Sequence, residues 1–264
     1  MWRSILKKII LCEGDSWTSG DIINPELETT WVNHPTNDSY RLPKVWPNKL
    51  GELLDIEVLN TANAGCSNDS IVRRVVENTF DLLEKYKGEE IFVIVGWSSP
   101  ERKDFYYDYN GKKYWETFHP YAITDPQQLS QKPKDQQEFY KSYIKYYWNE
   151  GEYFSRYIHN NLYLHYFLES NNIDHLFFDA FYQTKRGHYH TEEMRKDGIK
   201  TENKFLEITK DFYKDISFKN FIYQNKPYDI MDPQQYFSKD NSHPNEKGHQ
   251  LWAEELSKDL QWIK

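Results

Sequence analysis

The chain has 264 residues, with 33 basic against 41 acidic side chains and a formal net charge of −8. That balance argues against nucleic acid as a partner, because phosphate binding needs a basic face, and no stretch approaches the ~20 apolar residues of a membrane span. Only 38% of the residues are hydrophobic while 17% are aromatic, so much of the core has to be built from rings.

In chain order, Ile9-Ile10-Leu11-Cys12 is too short for a buried helix and reads as a first strand. Arg3, Lys7 and Lys8 precede it, but four apolar residues are too few for a signal-peptide core. The expectation is a soluble protein without a secretion signal, cytoplasmic in the producing cell or associated with a virion. Gly14-Asp15-Ser16-Trp17-Thr18-Ser19-Gly20 follows. Gly14 can turn tightly and leave Ser16 exposed at the carboxyl end of the strand, with Asp15 bonding the amides of its own loop. The same letters also describe an ordinary loop entering a helix cap.

After a long polar loop through Pro43, Trp46, Leu50, Leu53 and Leu54 recur at helical spacing, with Pro47 near the first turn. Ile56–Leu59 reads as strand two. Ser67-Asn68 can cap a helix carrying Ile71, Val72, Val75, Val76, Phe80 and Leu83 on its buried face. Ile91–Val95 reads as strand three and Ile173–Phe178 as strand four. Between them, a loop-like stretch precedes a long helix, 136–171, expected to break near Gly151. The alternation implies a parallel sheet in one domain spanning 1–264, with insertions at about 101–140 and 180–239. Cys12 and Cys66 are too few for a disulfide framework and are expected as buried thiols.

Near the end stands Asp240-Asn241-Ser242-His243-Pro244, before the amphipathic run to Leu260. A serine hydroxyl needs a base, and histidine has a pKa near operating pH but needs a partner on its other ring nitrogen. Asp240 and His243 could supply orienter and base from one loop. Alternatively, the loop is a solvated turn capping the last helix, with His243 packed under Pro244.

Together these segments resemble the SGNH (GDSL-type) hydrolases. Gly14-Asp15-Ser16 matches the first block, Asn63-Ala64-Gly65 the second, and Asp240-Asn241-Ser242-His243 the Asp-x-x-His block. The resemblance implies a flavodoxin-like three-layer α/β/α sandwich around a parallel sheet of about five strands. It also implies a Ser16–His243–Asp240 triad and an oxyanion site built on the Ser16 and Gly65 amides. Block three departs from the pattern: Gly96-Trp97-Ser98-Ser99-Pro100 puts Ser98 where the family has Asn. Losing one oxyanion donor typically costs about 2.7–4 kcal/mol. Ser98, Asn68 or a water compensates, or the enzyme is slow, or the site is no longer catalytic.

Around that block, Asp104 to Tyr109, Tyr114-Trp115 and Phe118-His119 are rich in rings. They suit either stacking on sugars at the mouth of the site or a core for the insertion. Trp17, Trp97, Arg102 and Tyr106 are the candidate substrate contacts. The expected activity is hydrolysis of a carboxylic ester, foremost a short O-acetyl group on a carbohydrate. The competing reading is an impaired SGNH scaffold that binds a glycan or a virion partner, since the variant motifs also resemble SGNH proteins encoded by viruses. No cofactor is implied. His188 and His190 with Glu192 and Glu193 could bind a divalent metal, but a solvated loop entering a helix explains the same letters.

Overall fold

The computed structural model describes residues 6–21, 23–24, 35–109, 111–120, 129–130, 132–180, 207–224, 235–238 and 243–263. Four parallel strands form the central sheet: β1 (Ile9–Gly14), β2 (Glu57–Asn60), β3 (Ile91–Trp97) and β6 (Asp174–Asp179), in the order β2-β1-β3-β6. Each lies within two residues of its sequence-based expectation. About five strands were expected, and the described residues contain four. Among the described residues the sheet continues beyond β6 as a parallel bridge, Phe177 to Tyr213.

Side chains alternate across a strand, so each central strand feeds two cores. Ile9, Leu11, Val93, Val95 and Phe177 pack with α4 (Asn68–Leu83) and α6 (Glu150–Ser170) on one face. Ile10, Cys12, Phe92, Ile94 and Phe178 pack with α3 (Trp46–Leu54), α7 (Phe218–Gln224) and α8 (Glu246–Asp259) on the other. The result is a three-layer α/β/α arrangement. Phe80, expected on the buried face of α4, is 56% exposed and meets the Phe167 ring at 5.6 Å. The long helix breaks as expected: α5 (Lys134–Tyr146) ends, and Asn149 caps α6 by accepting from the Glu152 N–H.

The stretch after β3 is not the loop expected from its Tyr- and Lys-rich composition. It forms an antiparallel hairpin, β4 (Lys103–Tyr109) with β5 (Lys112–Phe118). Phe105 and Phe118 sit against Tyr140 and Tyr143 of α5 in a small third core. Gly111 takes φ +75° in the connection, a conformation that carries no Cβ penalty in glycine.

Candidate active site

In a parallel sheet the carboxyl ends of all strands share one edge, and ligands bind outside it. Ser16 begins α1 (Ser16–Ser19) directly after β1. Asp15 is its N-cap and accepts from the Trp17 N–H at 3.0 Å. Gly14 is required by close approach: a Cβ there would lie 2.2 Å from Thr18 Oγ1 and 2.9 Å from the Gly96 carbonyl. Ser16, expected exposed at the end of the strand, is instead buried at 5% exposure.

The chain leaving β2 continues to bond β1. Thr61 N–H donates to Cys12 O and Asn63 N–H to Gly14 O, each at 3.1 Å. This carries Gly65, at φ +75°, beside the turn that holds Ser16. The Cys66 thiol donates to the Gly14 carbonyl at 3.3 Å, and burial pushes it up to about 12. Both cysteines are free and buried.

Behind the turn, Glu13 is fully buried and held by Arg74, with Nη2 to Oε2 at 2.8 Å and Nε to Oε1 at 3.1 Å. Burial pushes the Glu13 carboxyl up, against the pull of Arg74 and Thr61.

Ser98 reaches the expected position after β3, but its hydroxyl is engaged. It donates to Asp15 Oδ2 at 2.9 Å and accepts from Arg102 Nη1 at 2.7 Å. Arg102 Nη1 also lies 3.2 Å from Asp15 Oδ2 and 3.3 Å from the Cys66 carbonyl. The Asn68 amide is engaged as well: Oδ1 accepts from the Ser98 N–H at 2.8 Å and Nδ2 donates to the Ser98 carbonyl at 3.1 Å. Both side chains considered as a third oxyanion donor therefore have other partners. Arg102, a candidate substrate contact, braces the Asp15 turn through Nη1.

His243 stands on the loop before α8, where its carbonyl accepts from the Ser238 N–H at 2.9 Å. Its ring is tilted against Trp17, centroids 6.5 Å apart, which puts it beside the residue that follows Ser16. Asp240, His188, His190, Glu192 and Glu193 lie outside the described residues.

Of the aromatic candidates, Trp17 and Trp97 are 3% and 1% exposed. Trp17 packs on Phe218 and Phe237, and Trp97 on Tyr157 and Phe177, so neither presents a face to a ligand. Tyr106 is exposed on the hairpin and packs on Trp115 at 5.0 Å. A cavity of about 430 Å³ opens beside the second block, lined by Asn63, Gly65, Arg73, Asp104, Trp115 and His119 among others. Arg73 lies over the Trp115 ring at 4.2 Å and pairs with Asp104 at 2.9 Å. Burial, with the Arg102 charge next, holds His119 down to about 4 and thus neutral near pH 7. His119 was expected among the ring-rich residues after block three, at the mouth of the site or in the core of the insertion, with no link to Gly65. The Asn110-Gly111 turn signal would have given the hairpin that brings it there.

A model of a family of unknown function, DUF6071, matches residues 25–263. The chain belongs to that family. Ser16 lies ahead of the matched span. No curated protein matches the sequence. Among solved structures the chain is similar to variants of an acetyl-xylooligosaccharide (acetylxylan) esterase from Geobacillus stearothermophilus. One has TM-score 0.52 at 14% identity and another 0.50 at 12%, each covering 99% of both chains. A G-D-S-L family lipolytic protein from Desulfitobacterium hafniense DCB-2 gives 0.49 at 16% identity, covering 96% of this chain and 99% of that one. At these identities the likeness is one of fold. Among the described residues no helix is long and apolar enough to cross a membrane.

Proposed function

We propose that the protein is a serine esterase, with Ser16 as nucleophile, His243 as base and Asp240 as the partner that orients the imidazole. One observation carries the reading: the His243 ring packs on Trp17, next in sequence to the serine at the carboxyl end of β1. In the proposed reaction His243 takes the Ser16 proton as Oγ attacks the ester carbonyl. The Ser16 and Gly65 amides meet the oxyanion. His243 then returns the proton to the leaving alcohol, and water cleaves the acyl-enzyme by the same route.

The proposed substrate is a short acyl group, foremost O-acetyl, on a carbohydrate. The fold does not fix this, because function lives in the site. Support comes from the cavity beside Gly65, whose wall includes the half-exposed Trp115 ring and the Asn63 side chain, groups that suit a sugar's face and hydroxyls.

A second reading has a specific observation behind it: Ser98 and Asn68, the two candidates for the family's third oxyanion donor, are both engaged elsewhere. A site of that kind is a slow enzyme or a glycan-binding scaffold. Labelling of the purified protein with a fluorophosphonate separates them. Labelling that disappears in Ser16→Ala, together with aryl acetate turnover, is the expected result. An unlabelled wild-type protein that still binds glycan selects the scaffold.

A further inference from the structure

At the opposite edge of the sheet, where β6 begins, lies a cluster with no part in the proposed esterase site. His165 and Glu169 are one turn apart on α6, and such i, i+4 residues share a helix face. His175 is the second residue of β6. One ligand atom from each lies within 4.8 Å of the other two. His165 Nδ1 faces His175 Nε2 at 2.9 Å.

The chemistry of these three groups is that of a metal site. His175 Nδ1 lies 3.1 Å from the Ile173 carbonyl. A carbonyl can only accept, so Nδ1 carries the proton and Nε2 presents its lone pair to His165. A ring nitrogen anchored on a backbone carbonyl, with its other nitrogen free to ligate, is the usual outer-shell arrangement of a metal-binding histidine. The His165 ring is fixed as well, stacked on Phe212 with centroids 4.1 Å apart and an 11° interplanar angle. The cluster borders a cavity of about 540 Å³ that Glu89, Glu169, Asp174 and Asp211 also line, with no lysine or arginine among the described residues of its wall. Lys7 reaches one of these carboxylates from outside, pairing with Asp174 at 2.6 Å.

We propose that His165, Glu169 and His175 bind a divalent transition metal, Zn²⁺ foremost, which ties the end of α6 to the start of β6. Two imidazoles and a carboxylate suit zinc, and the cavity leaves room for a water as fourth ligand. Two Zn–N bonds of about 2.0–2.1 Å at a tetrahedral angle put the nitrogens about 3.3 Å apart, so the rings separate by a few tenths of an ångström. The metal takes the place of the proton held between them. Glu169 swings its exposed carboxylate onto the third position.

The experiment uses the full chain stripped with a chelator, then titrated with Zn²⁺ by calorimetry and with Co²⁺ by visible absorption. One metal per chain is expected, with the intense d–d band of low-coordinate cobalt. Glu169→Gln, at an exposed position, and His165→Ala should each weaken binding at least tenfold. His188→Ala/His190→Ala should leave it unchanged. The proposal is overturned by a wild-type chain that binds no stoichiometric Zn²⁺, or by wild-type affinity in Glu169→Gln and His165→Ala. Binding that disappears with His188 and His190 overturns it equally. Should His165→Ala misfold by circular dichroism, the Glu169→Gln titration decides alone.

Discussion

Asn68 holds the main chain of Ser98 from both sides, its Oδ1 accepting the Ser98 N–H at 2.8 Å and its Nδ2 donating to the Ser98 carbonyl at 3.1 Å. Both residues are buried, 0% and 2% exposed. The first residue of α4 is thereby joined to the chain leaving β3. That junction fixes where the Ser98 hydroxyl meets Asp15.

Asn68→Ala removes that junction and leaves a buried N–H and a buried carbonyl unpaired. At about 1–3 kcal/mol for each such group, the variant should lose at least ~2 kcal/mol in urea unfolding. Asn68→Asp keeps the acceptor but turns a carboxylate oxygen onto the Ser98 carbonyl in a buried site, and should not recover that loss. Equal stability of Asn68→Ala and wild type would show that the clasp is dispensable.

Gly14→Ala tests the close approach of the Ser16 turn to β3. The added methyl meets Thr18 Oγ1 and the Gly96 carbonyl inside contact distance, so Thr18 and the turn must shift. A stability loss of about 1–3 kcal/mol is expected. The accompanying fall in aryl acetate turnover should exceed that of a control substitution at an exposed helix position.

His249 should make the fold acid-sensitive. Its Nδ1 accepts the Trp46 N–H at 3.2 Å, and burial, with Lys49 next, holds it down to about 3. The unfolded chain takes up this proton near the ordinary histidine value of about 6.5. The stabilisation is therefore complete above that pH and is lost as pH falls from there towards 3. His119 and His175, each held down to about 4 chiefly by burial, act in the same sense. His249→Asn, whose Oδ1 can also accept from Trp46, should lose about 2 kcal/mol less than wild type in urea unfolding between pH 7 and pH 5. An unchanged pH profile would mean that His249 does not carry this dependence.

Trp115→Ala tests the carbohydrate reading. Losing a ring contact worth about 0.5–1.5 kcal/mol should raise KM for an acetylated oligosaccharide roughly 3- to 10-fold. Turnover of a small aryl acetate, which does not reach that wall, should change less than twofold. Equal effects on both substrates would remove Trp115 from the binding surface.

The sequence by itself determined the sheet. Ile9-Ile10-Leu11-Cys12 and Ile91–Val95 are buried on both faces, and such strands read as unbroken apolar runs, while Ile173–Phe178 was legible from its apolar residues around Asp174 and His175. The place of Ser16 was legible for the same reason, since a short motif directly after a strong strand inherits that strand's end. Pairings between side chains distant in the chain were decided only by the tertiary structure. Ser98 looked like a vacant donor until Asp15 and Arg102, 83 and 4 residues away, were seen to engage it. Trp17 and Trp97 looked like ligand-facing rings, but a residue's letter does not say which side of a turn or strand meets the core. The hairpin 103–118 was hidden because Phe105, Tyr107 and Phe118 pack against α5 rather than the main sheet, while Tyr106, Tyr114 and Trp115 stay exposed. Its composition therefore reads as polar although its fold is regular. His165 and His175 met for a related reason: a helix that turns straight back into a strand brings its last turns onto the strand's first residues, and no local pattern of letters encodes that contact.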